Sequence, residues 1–365
     1  IFTNPTSGSL TVEYDIIPVE AGGCEGDMVT VTLTVDPGPV LDPNLNATVC
    51  SEEPSGITLD TDGVSVAAAN YNIMDIRVAV GLIASGGNAV IGNAQASNAI
   101  ASDVFTNTTA GSLTVEYDIV PISVIGCEGD MVTVVLTVNP APVLDPNLDA
   151  TVCSDLPSGI TFNTIATSVA AANYTIADIR VAGGLIVGGG NAITGIGQSA
   201  NAIASDIFTN TTGGPLTVEY DVIPVSGSGC EGTQVTVTLT VDPEPVLDPN
   251  LNATICSDLP SGIVLGTNGT SVAANTYNIT DIRTSFGLQA SGGNAAIGNG
   301  QAANAISNDI FTNTTSNTLT VQYDIVPVSA DGCLGDPVTV ILTVDPEPVL
   351  APNLNTSICS DLPTG

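Results

Sequence analysis

The stretch LTVEYDIVPISVIGCEGDMVTVVLTV, residues 113–138, decides the fold. Apolar and polar residues alternate from Leu113 to Ile119 and again from Val132 to Val138. A period of two predicts β-strands with one face turned to a core and the other to water. The residues between them, Gly-Cys-Glu-Gly-Asp at 126–130, are turn formers, so the stretch predicts a β-hairpin.

The hairpin recurs along the chain at a step of 103 residues, and the cysteines show this step most clearly. Two series repeat at that step, one in the hairpin turns and one after the hairpins: Cys24, Cys127, Cys230, Cys333 and Cys50, Cys153, Cys256, Cys359. A proline-rich octamer separates successive copies, at 36–43, 139–146, 242–249 and 345–352. Alternate prolines predict a short, semi-rigid spacer at each of these places.

With the spacers as boundaries, the chain divides into three complete repeats and two partial ones. We expect a truncated repeat at 1–38, complete repeats at 39–141, 142–244 and 245–347, and the start of a further repeat at 348–365. An array of this kind is expected to be part of a longer protein.

The interior of each repeat predicts further short elements. Strands are expected at Leu45–Ser51, Gly56–Leu59 and Tyr71–Val80, and a short helical turn at Ala99–Phe105. About 100 residues with some seven short strands and no long helical period predict an all-β fold. The fold expected is a tandem array of immunoglobulin-like antiparallel β-sandwiches stacked end to end.

Composition excludes several classes of function. The chain has no histidine, lysine or tryptophan, and three arginines stand against 37 acidic residues, for a net charge of -34. Without histidine or lysine it cannot form a Ser-His-Asp relay, a Schiff base or a histidine-bound metal centre, so we predict that it is not an enzyme. Phosphates would repel about ten net negative charges per repeat, which excludes nucleic acid as a partner. The longest run without charge, 78–102, is broken by Gly, Asn and Ser, so no membrane span is predicted.

The cysteines predict disulfides, and two pairings are compatible with their spacing. One pairing would cross a spacer, as from Cys24 to Cys50. The other would stay inside a repeat, because the last hairpin's turn is expected at the same pole of the sandwich as the start of the first strand. We favour the internal pairing, which gives Cys50–Cys127, Cys153–Cys230 and Cys256–Cys333.

The arginines predict structural ion pairs. Each follows an aspartate by two positions, in the pairs Asp75 and Arg77, Asp178 and Arg180, and Asp281 and Arg283. Residues i and i+2 of a strand share a face, so the two side chains can contact each other. A ligand-binding arginine is the alternative.

Acidic residues around the spacers raise the question of calcium, which prefers carboxylate oxygens. At the first spacer the candidates are Asp36, Asp42, Glu128 and Asp130. The set changes to Asn139, Asp145 and Glu231 at the second spacer, and to Asp242, Glu244, Asp248 and Asp336 at the third. This variation favours a solvated acidic surface and no cofactor, with calcium as the alternative.

Several segments of the repeat together resemble a known family. They are Asn107-Thr-Thr, Leu-Thr-Val-Glu-Tyr117, Gly-Cys-Glu-Gly129, Val-Thr-Val-Val-Leu-Thr-Val138, Pro-Ala-Pro142 and Ala-Thr-Val-Cys-Ser154. The pattern resembles the tandem PKD-like, immunoglobulin-like repeats of large bacterial surface adhesins exported by type IX secretion, the SprB-like gliding adhesins among them. The Trp-Asp-Phe-Gly-Asp-Gly motif of ordinary PKD domains is missing, so the PKD-like variant is the better match.

The resemblance implies a structural stalk or filament segment of an extracellular, cell-surface attached adhesin. Its partners would be neighbouring repeats of the same chain, other copies in a filament, and a distal surface or glycan ligand. One alternative is that the repeats themselves bind glycans or surfaces by avidity. Another is that this chain is a subunit of a multi-chain extracellular filament, assembled through sheet edges.

Overall fold

The computed structural model describes residues 1–350 together with Ser357 and Ser360, and the regular secondary structure of this part is β-strand. The predicted start of a further repeat at 348–365 lies mostly outside the described residues. The chain opens with an antiparallel hairpin of β1 (Leu10–Ile16) and β2 (Val29–Val35). Three sandwiches of seven strands each follow.

The strands of the three sandwiches correspond one to one. The first sandwich contains β3 (Ala47–Cys50), β4 (Ala68–Val78), β5 (Leu82–Ala84), β6 (Gly92–Gln95), β7 (Phe105–Asn107), β8 (Leu113–Ser123) and β9 (Val132–Asn139). The second contains β10 (Ala150–Cys153), β11 (Ala171–Val181), β12 (Leu185–Val187), β13 (Gly195–Gln198), β14 (Phe208–Asn210), β15 (Leu216–Ser226) and β16 (Val235–Asp242). The third contains β17 (Ala253–Cys256), β18 (Thr276–Thr284), β19 (Leu288–Ala290), β20 (Gly298–Gln301), β21 (Phe311–Asn313), β22 (Leu319–Val328) and β23 (Val338–Asp345).

Each sandwich pairs a five-stranded sheet with a two-stranded one. In the first sandwich the larger sheet has the order β3-β9-β8-β4-β6, and β5 pairs with β7. The pairs are antiparallel except β3 and β9, which run parallel with Cys50 opposite Asn139. The predicted class, an all-β array of tandem immunoglobulin-like sandwiches, is confirmed.

The alternating pattern of the quoted stretch builds the core. Val115, Tyr117 and Ile119 on β8 are fully buried, and Leu136 and Val138 on β9 face them. Burying large apolar side chains is worth about 1.5–3 kcal/mol each, so this hairpin supplies much of the stability of its sandwich. The second and third sandwiches have equivalent, separate cores.

The spacers are packed more firmly than linkers. Leu41, inside the first spacer, is 3% exposed and belongs to the core of the following sandwich. Leu144 and Leu247 do the same in the next two spacers. Each spacer is therefore anchored to the sandwich that it precedes. The domain boundaries predicted from the spacers stay a prediction.

Two smaller predictions differ from the structure. The strand predicted at Gly56–Leu59 is wrong, although Ile57 and Leu59 are buried in the core. The expected helical turn is a series of tight turns, in which the N–H groups of Ala99 and Ala101 bond to carbonyls three residues earlier.

Candidate functional site at the junctions between sandwiches

Two disulfides join neighbouring sandwiches. Cys50, the last residue of β3, is bonded to Cys230 between β15 and β16, with the Cα atoms 5.4 Å apart. Cys153, the last residue of β10, is bonded to Cys333 between β22 and β23, with the Cα atoms 5.3 Å apart. Each bond links residues 180 positions apart, and each therefore spans a junction between two sandwiches.

The internal pairings are therefore wrong for Cys50–Cys127, Cys153–Cys230 and Cys256–Cys333. The reason is the direction of the first strand. Because β3 is parallel to β9, Cys50 lies at the C-terminal end of β9, whereas Cys127 precedes its N-terminal end. At about 3.3 Å per residue these ends lie roughly 23 Å apart. A disulfide needs Cα atoms within about 7 Å.

The alternative pairing across a spacer does not form either. Cys24 carries a free thiol, and among the described cysteines so do Cys127 and Cys256. The C-terminal end of β9 instead meets the next sandwich's hairpin turn, which carries that sandwich's own cysteine.

At each junction a hairpin turn also packs against the spacer that precedes its sandwich. A Cβ on Gly232 would lie only 1.9 Å from the carbonyl oxygen of Pro142, so only glycine fits there. Gly129 and Gly335 stand in the same relation to Pro39 and Pro245. The second glycine of the Gly-Cys-Glu-Gly motif thus serves this backbone contact.

The third junction, around spacer 242–249, gathers three carboxylates beside its disulfide. Asp155 lies two residues after Cys153, Glu244 is in the spacer, and Asp336 is in the third sandwich's hairpin turn. Their oxygens all lie within 4.8 Å of one another, and they line one cleft with the disulfide. Glu244 is 4% exposed, and its carboxyl group lies within hydrogen-bond distance of the Asp155 side chain.

The environment of the trio shifts the pKa of its buried member. Burial, together with the neighbouring Asp155 and Asp336, raises the pKa of Glu244 to about 7. The backbone of Asp155 has a positive φ of 63°, and its carboxylate accepts a hydrogen bond from the hydroxyl of Thr209. Like charges this close favour uptake of a proton or a cation.

The second junction, around spacer 139–146, has the same backbone plan and a different charge. The positions 103 residues before the trio hold Glu52, Ala141 and Thr233, so one carboxylate replaces three. The third junction also has an extra backbone bond, from the N–H of Val272 to the carbonyl of Thr212 at 3.1 Å.

The structure does not gather the predicted calcium set in this way. Asp36, Glu128 and Asp130 line a cleft at the first junction, but Asp42 is not among its lining residues. Asp42 instead accepts hydrogen bonds from Asn44. Within the described residues, the trio at the third junction is the one set of three acidic or cysteine side chains whose ligand atoms lie close enough together to share an ion. Glu244 and Asp336 stood in the sequence-derived set for this spacer, whereas Asp155 was missed; its place after the Cys-Ser pair was the available signal.

The arginines lie where the sequence placed them. Arg77 contacts Asp75 at 3.0 Å, and the equivalent pairs Asp178–Arg180 and Asp281–Arg283 are 2.9 Å and 2.6 Å apart. Each arginine also bonds to an aspartate on the neighbouring strand that sequence analysis missed. In the first sandwich this partner is Asp118, whose pKa is lowered to about 2 by Arg77 and by Thr133.

A buried acid in each sandwich was also missed. Asp103, 1% exposed, accepts hydrogen bonds from the hydroxyl of Tyr117 and the N–H of Ala89, both at 2.7 Å. Burial raises the pKa of Asp103. Asp206–Tyr220 and Asp309–Tyr323 repeat the pair. An aspartate at a step of 103, two residues before a buried phenylalanine, was the available signal.

Comparison with known proteins assigns the class. The PKD-like domain family matches residues 1–39, 67–142, 187–245 and 266–348. The chain therefore belongs to the PKD-like domain family, as its resemblance implied. No curated protein matches it. Within the described residues no helix is long and apolar enough to cross a membrane.

Solved structures of tandem β-sandwiches align with most of the chain at low identity. Human CDH23 EC21-23 is 15% identical, covers 84% of this chain and 99% of its own, and has a TM-score of 0.28. The chicken CNTN1 FN1-FN3 domains are 12% identical, cover 81% and 96%, and have a TM-score of 0.24. Bacteroides ovatus SGBP-B, solved with a mixed-linkage heptasaccharide, is 11% identical, covers 85% and 71%, and has a TM-score of 0.16. With TM-scores this low, the family match alone supports the assignment.

Proposed function

We propose that this chain is a non-catalytic stalk or filament segment of a large, repetitive bacterial surface adhesin. PKD-like sandwiches in tandem indicate an extracellular structural or adhesive repeat protein. The observation that carries the proposal is the repetition of one spacer contact: a buried leucine and a glycine-to-proline backbone contact fix each spacer to its sandwich. Such joints favour a defined, extended array over a string of freely moving domains.

The environment of the polar groups supports a structural role. The buried aspartates are hydrogen-bonded to tyrosines, and the arginines are held by carboxylates on their own sheets. The family that matches the chain is a PKD-like domain, a repeat type that is typically non-catalytic. Buried polar groups that are hydrogen-bonded in this way are typical of a stable fold interior.

Disulfides and PKD-like repeats are typical of extracellular domains, where thiols are oxidised. A net charge of -34 would oppose clumping of neighbouring stalks. Export by type IX secretion, attachment to the cell surface and a role in gliding are part of the proposal, and they rest on the resemblance of the repeats.

Small-angle X-ray scattering of the oxidised chain tests the stalk. An end-to-end array adds roughly 40 Å per repeat, from the strand rise and the spacer. The maximum dimension should therefore grow by that step when one further copy of residues 245–347 is appended. A compact particle whose dimension does not grow would contradict the stalk. Sedimentation at high concentration distinguishes a single-chain stalk, which stays monomeric, from a subunit that assembles.

We further propose that the third junction binds one Ca²⁺ ion. Asp155, Glu244 and Asp336 supply carboxylate oxygens from two sandwiches within 4.8 Å of one another, and Glu244 is nearly buried. Calcium takes six to eight oxygen ligands, so backbone carbonyls or water would complete the shell. The ion would neutralise the repulsion within the trio and stiffen this joint.

Calorimetric titration with CaCl₂ at pH 7.5 tests the ion site. We expect one ion per chain, and none for Glu244→Gln, which keeps the shape and removes the charge. The matched gain variant carries Ala141→Glu and Thr233→Asp, which supply the second junction with a trio around Glu52. It should bind two ions. Equal binding by the parent and Glu244→Gln would contradict the site.

A further inference from the structure

Each of the two junctions with a disulfide is crossed by two covalent routes. At the second junction the polypeptide runs through spacer 139–146, while the disulfide joins Cys50 to Cys230. At the third junction the polypeptide runs through spacer 242–249, while the disulfide joins Cys153 to Cys333. Cutting either route alone would leave the sandwiches connected.

The second sandwich shows how the two routes continue. Its strands β10 and β16 are parallel neighbours, hydrogen-bonded with Ala150 opposite Leu239 and Cys153 opposite Asp242. β10 follows the spacer directly, and its last residue, Cys153, is bonded to the third sandwich. β16 follows Cys230, which is bonded to the first sandwich, and its other end continues into the next spacer. Each strand is therefore held covalently at both of its ends.

We call these two continuous paths the rails. One rail consists of β3, the Cys50–Cys230 bond, β16, spacer 242–249 and β17. The other consists of β9, spacer 139–146, β10, the Cys153–Cys333 bond and β23. In the second sandwich the rails lie side by side as the parallel pair, and the body between Cys153 and Cys230 connects them.

Without disulfides a pulling force would load the second sandwich in another way. It would enter at the start of β10 and leave at the end of β16, so it would shear the parallel pair apart. The 77 residues from Cys153 to Cys230 would then unravel and lengthen the chain. With both disulfides in place, tension on β10 or β16 is carried by the covalent connections at the two ends of that strand.

We propose that the disulfides make this array a two-rail load-bearing structure, in which each junction is doubly connected and a sandwich body cross-links the rails. The role concerns the mechanics of the array and holds whatever the array displays. It goes beyond the proposed stalk, because an elongated stalk with one connection per junction would satisfy that proposal equally well.

The connectivity sets a limit on extension. With both disulfides the shortest covalent route from Cys50 to Cys333 crosses the first bond, returns along 77 residues to Cys153, and crosses the second bond. Without disulfides the route is the full 283 residues. At about 3.5 Å per residue, the fully unfolded stretch would span roughly 270 Å in the oxidised chain and roughly 990 Å in the reduced one, an increase of about 3.7-fold.

Cleavage of single spacers tests the double connection. A protease recognition sequence is inserted in the exposed turn after a spacer, between Pro146 and Asn147 or between Pro249 and Asn250. Each cut chain should run as one piece on a denaturing gel without reductant and as two pieces with it. The matched control is a cut between Pro43 and Asn44. It should release residues 1–43 even without reductant, because Cys24 and Cys127 are free.

The outcomes separate the possible pairings. If the cuts after Pro146 and Pro249 release two pieces without reductant, the second connection is absent and the proposal fails. If the control cut also holds together through a Cys24–Cys50 bond, the cysteines pair across the spacers and the proposal fails as well.

Force spectroscopy on the intact chain, held at its two ends, tests the load path. The oxidised chain should reach its final length roughly 700 Å short of the reduced chain, by the same rise per residue. The variant with serine at Cys50, Cys153, Cys230 and Cys333 should match the reduced chain without any reductant. Equal final lengths for the oxidised parent and this variant would overturn the two-rail proposal, while the scattering test of the stalk would be unaffected.

Discussion

The second and third junctions share a covalent plan and differ in charge. Both have a disulfide between residues 180 positions apart, a spacer leucine in the following core, and a glycine against a proline carbonyl. At the second junction the equivalent positions hold Glu52, Ala141 and Thr233, so one carboxylate of the trio remains, and Glu231 beside Cys230 lines the same cleft. The third junction places three carboxylates within 4.8 Å of one another.

The difference teaches which features of a joint its backbone requires. Glycine is required where a Cβ would clash with a carbonyl oxygen. Cysteine is required in the hairpin turn, opposite the strand end that carries its partner cysteine. Glu52 and Thr233 are exposed and Ala141 is half-buried, so these positions have no such constraint, and their counterparts at the third junction all carry charge. A joint can therefore acquire sensitivity to pH or to cations while its covalent plan stays unchanged.

Removing a disulfide is the largest perturbation of either junction. Replacing both cysteines of a pair with serine should cost about 5 kcal/mol in the free energy of unfolding, from chain entropy in a loop of this length. The loss should be similar for the Cys50–Cys230 and Cys153–Cys333 pairs, because both loops span 180 residues. Differential scanning calorimetry of the two variants at pH 7 measures it. An unchanged transition in either variant would show that its bond does not stabilise the array.

Replacing Glu244 with glutamine tests whether the stability of the third junction, unlike that of the second, depends on pH. The folded pKa of Glu244 is about 7, above its ordinary value of 4.5, so the folded chain holds this proton more tightly than the unfolded chain. The associated stability is present below pH 4.5 and is lost as the pH rises through 7, by up to about 3 kcal/mol. Glu244→Gln should therefore match the parent near pH 4 and exceed it in stability at pH 8.

Urea unfolding at the two pH values measures this difference, with Ala141→Gln at the second junction as the control. Asp155 and Asp336 face Glu244, and burial raises the pKa of nearby Asp242 as well. The free energy of unfolding is therefore compared between the parent and Glu244→Gln at each pH. The control should show no pH-dependent difference from the parent. A constant difference at both pH values for Glu244→Gln would sink this interpretation.

Removing a buried hydroxyl should affect the sandwich bodies alike. Tyr117→Phe and Tyr220→Phe each leave a buried aspartate without one donor, which costs about 1.5–3 kcal/mol. Tyr71→Phe is the milder control, because its hydroxyl donates only to the Leu59 carbonyl at 3.2 Å. Urea unfolding should give equal losses in the first and second sandwiches. Clearly unequal losses would show that differences between repeats extend beyond the junctions.

Substituting an arginine should have the smallest effect. Arg77 has the carboxylates of Asp75, Glu116 and Asp118 as partners, whereas Arg283 has Gln322 in place of the glutamate. Because Arg77 lowers the pKa of Asp118 to about 2, the pair's stability is present above pH 3.8 and lost as the pH falls toward 2. Arg77→Gln should raise the pH midpoint of acid unfolding slightly, and Arg283→Gln should raise it less. Circular dichroism during acid titration checks the order, and a larger shift for Arg283→Gln would reverse it.

The sequence predicted the local elements well because their signals are local. Alternation over Leu113–Ile119 and Val132–Val138 defines two strands and their turn without reference to distant residues. The aspartate two positions before each arginine is likewise a property of one strand. Asp118 and Asp103 were missed because their partners lie 41 and 14 residues away along the chain.

The amino-acid sequence by itself determined the repeat, the sandwich class, the acidic surface and the presence of paired cysteines, because periodicity and composition can be read residue by residue. The tertiary structure alone decided which cysteines pair and where charge collects. Both depend on the parallel register of β3 with β9, which brings Cys50 to the end of the sandwich that meets the next hairpin turn. That register is a contact between residues nearly ninety positions apart, and no local pattern encodes it.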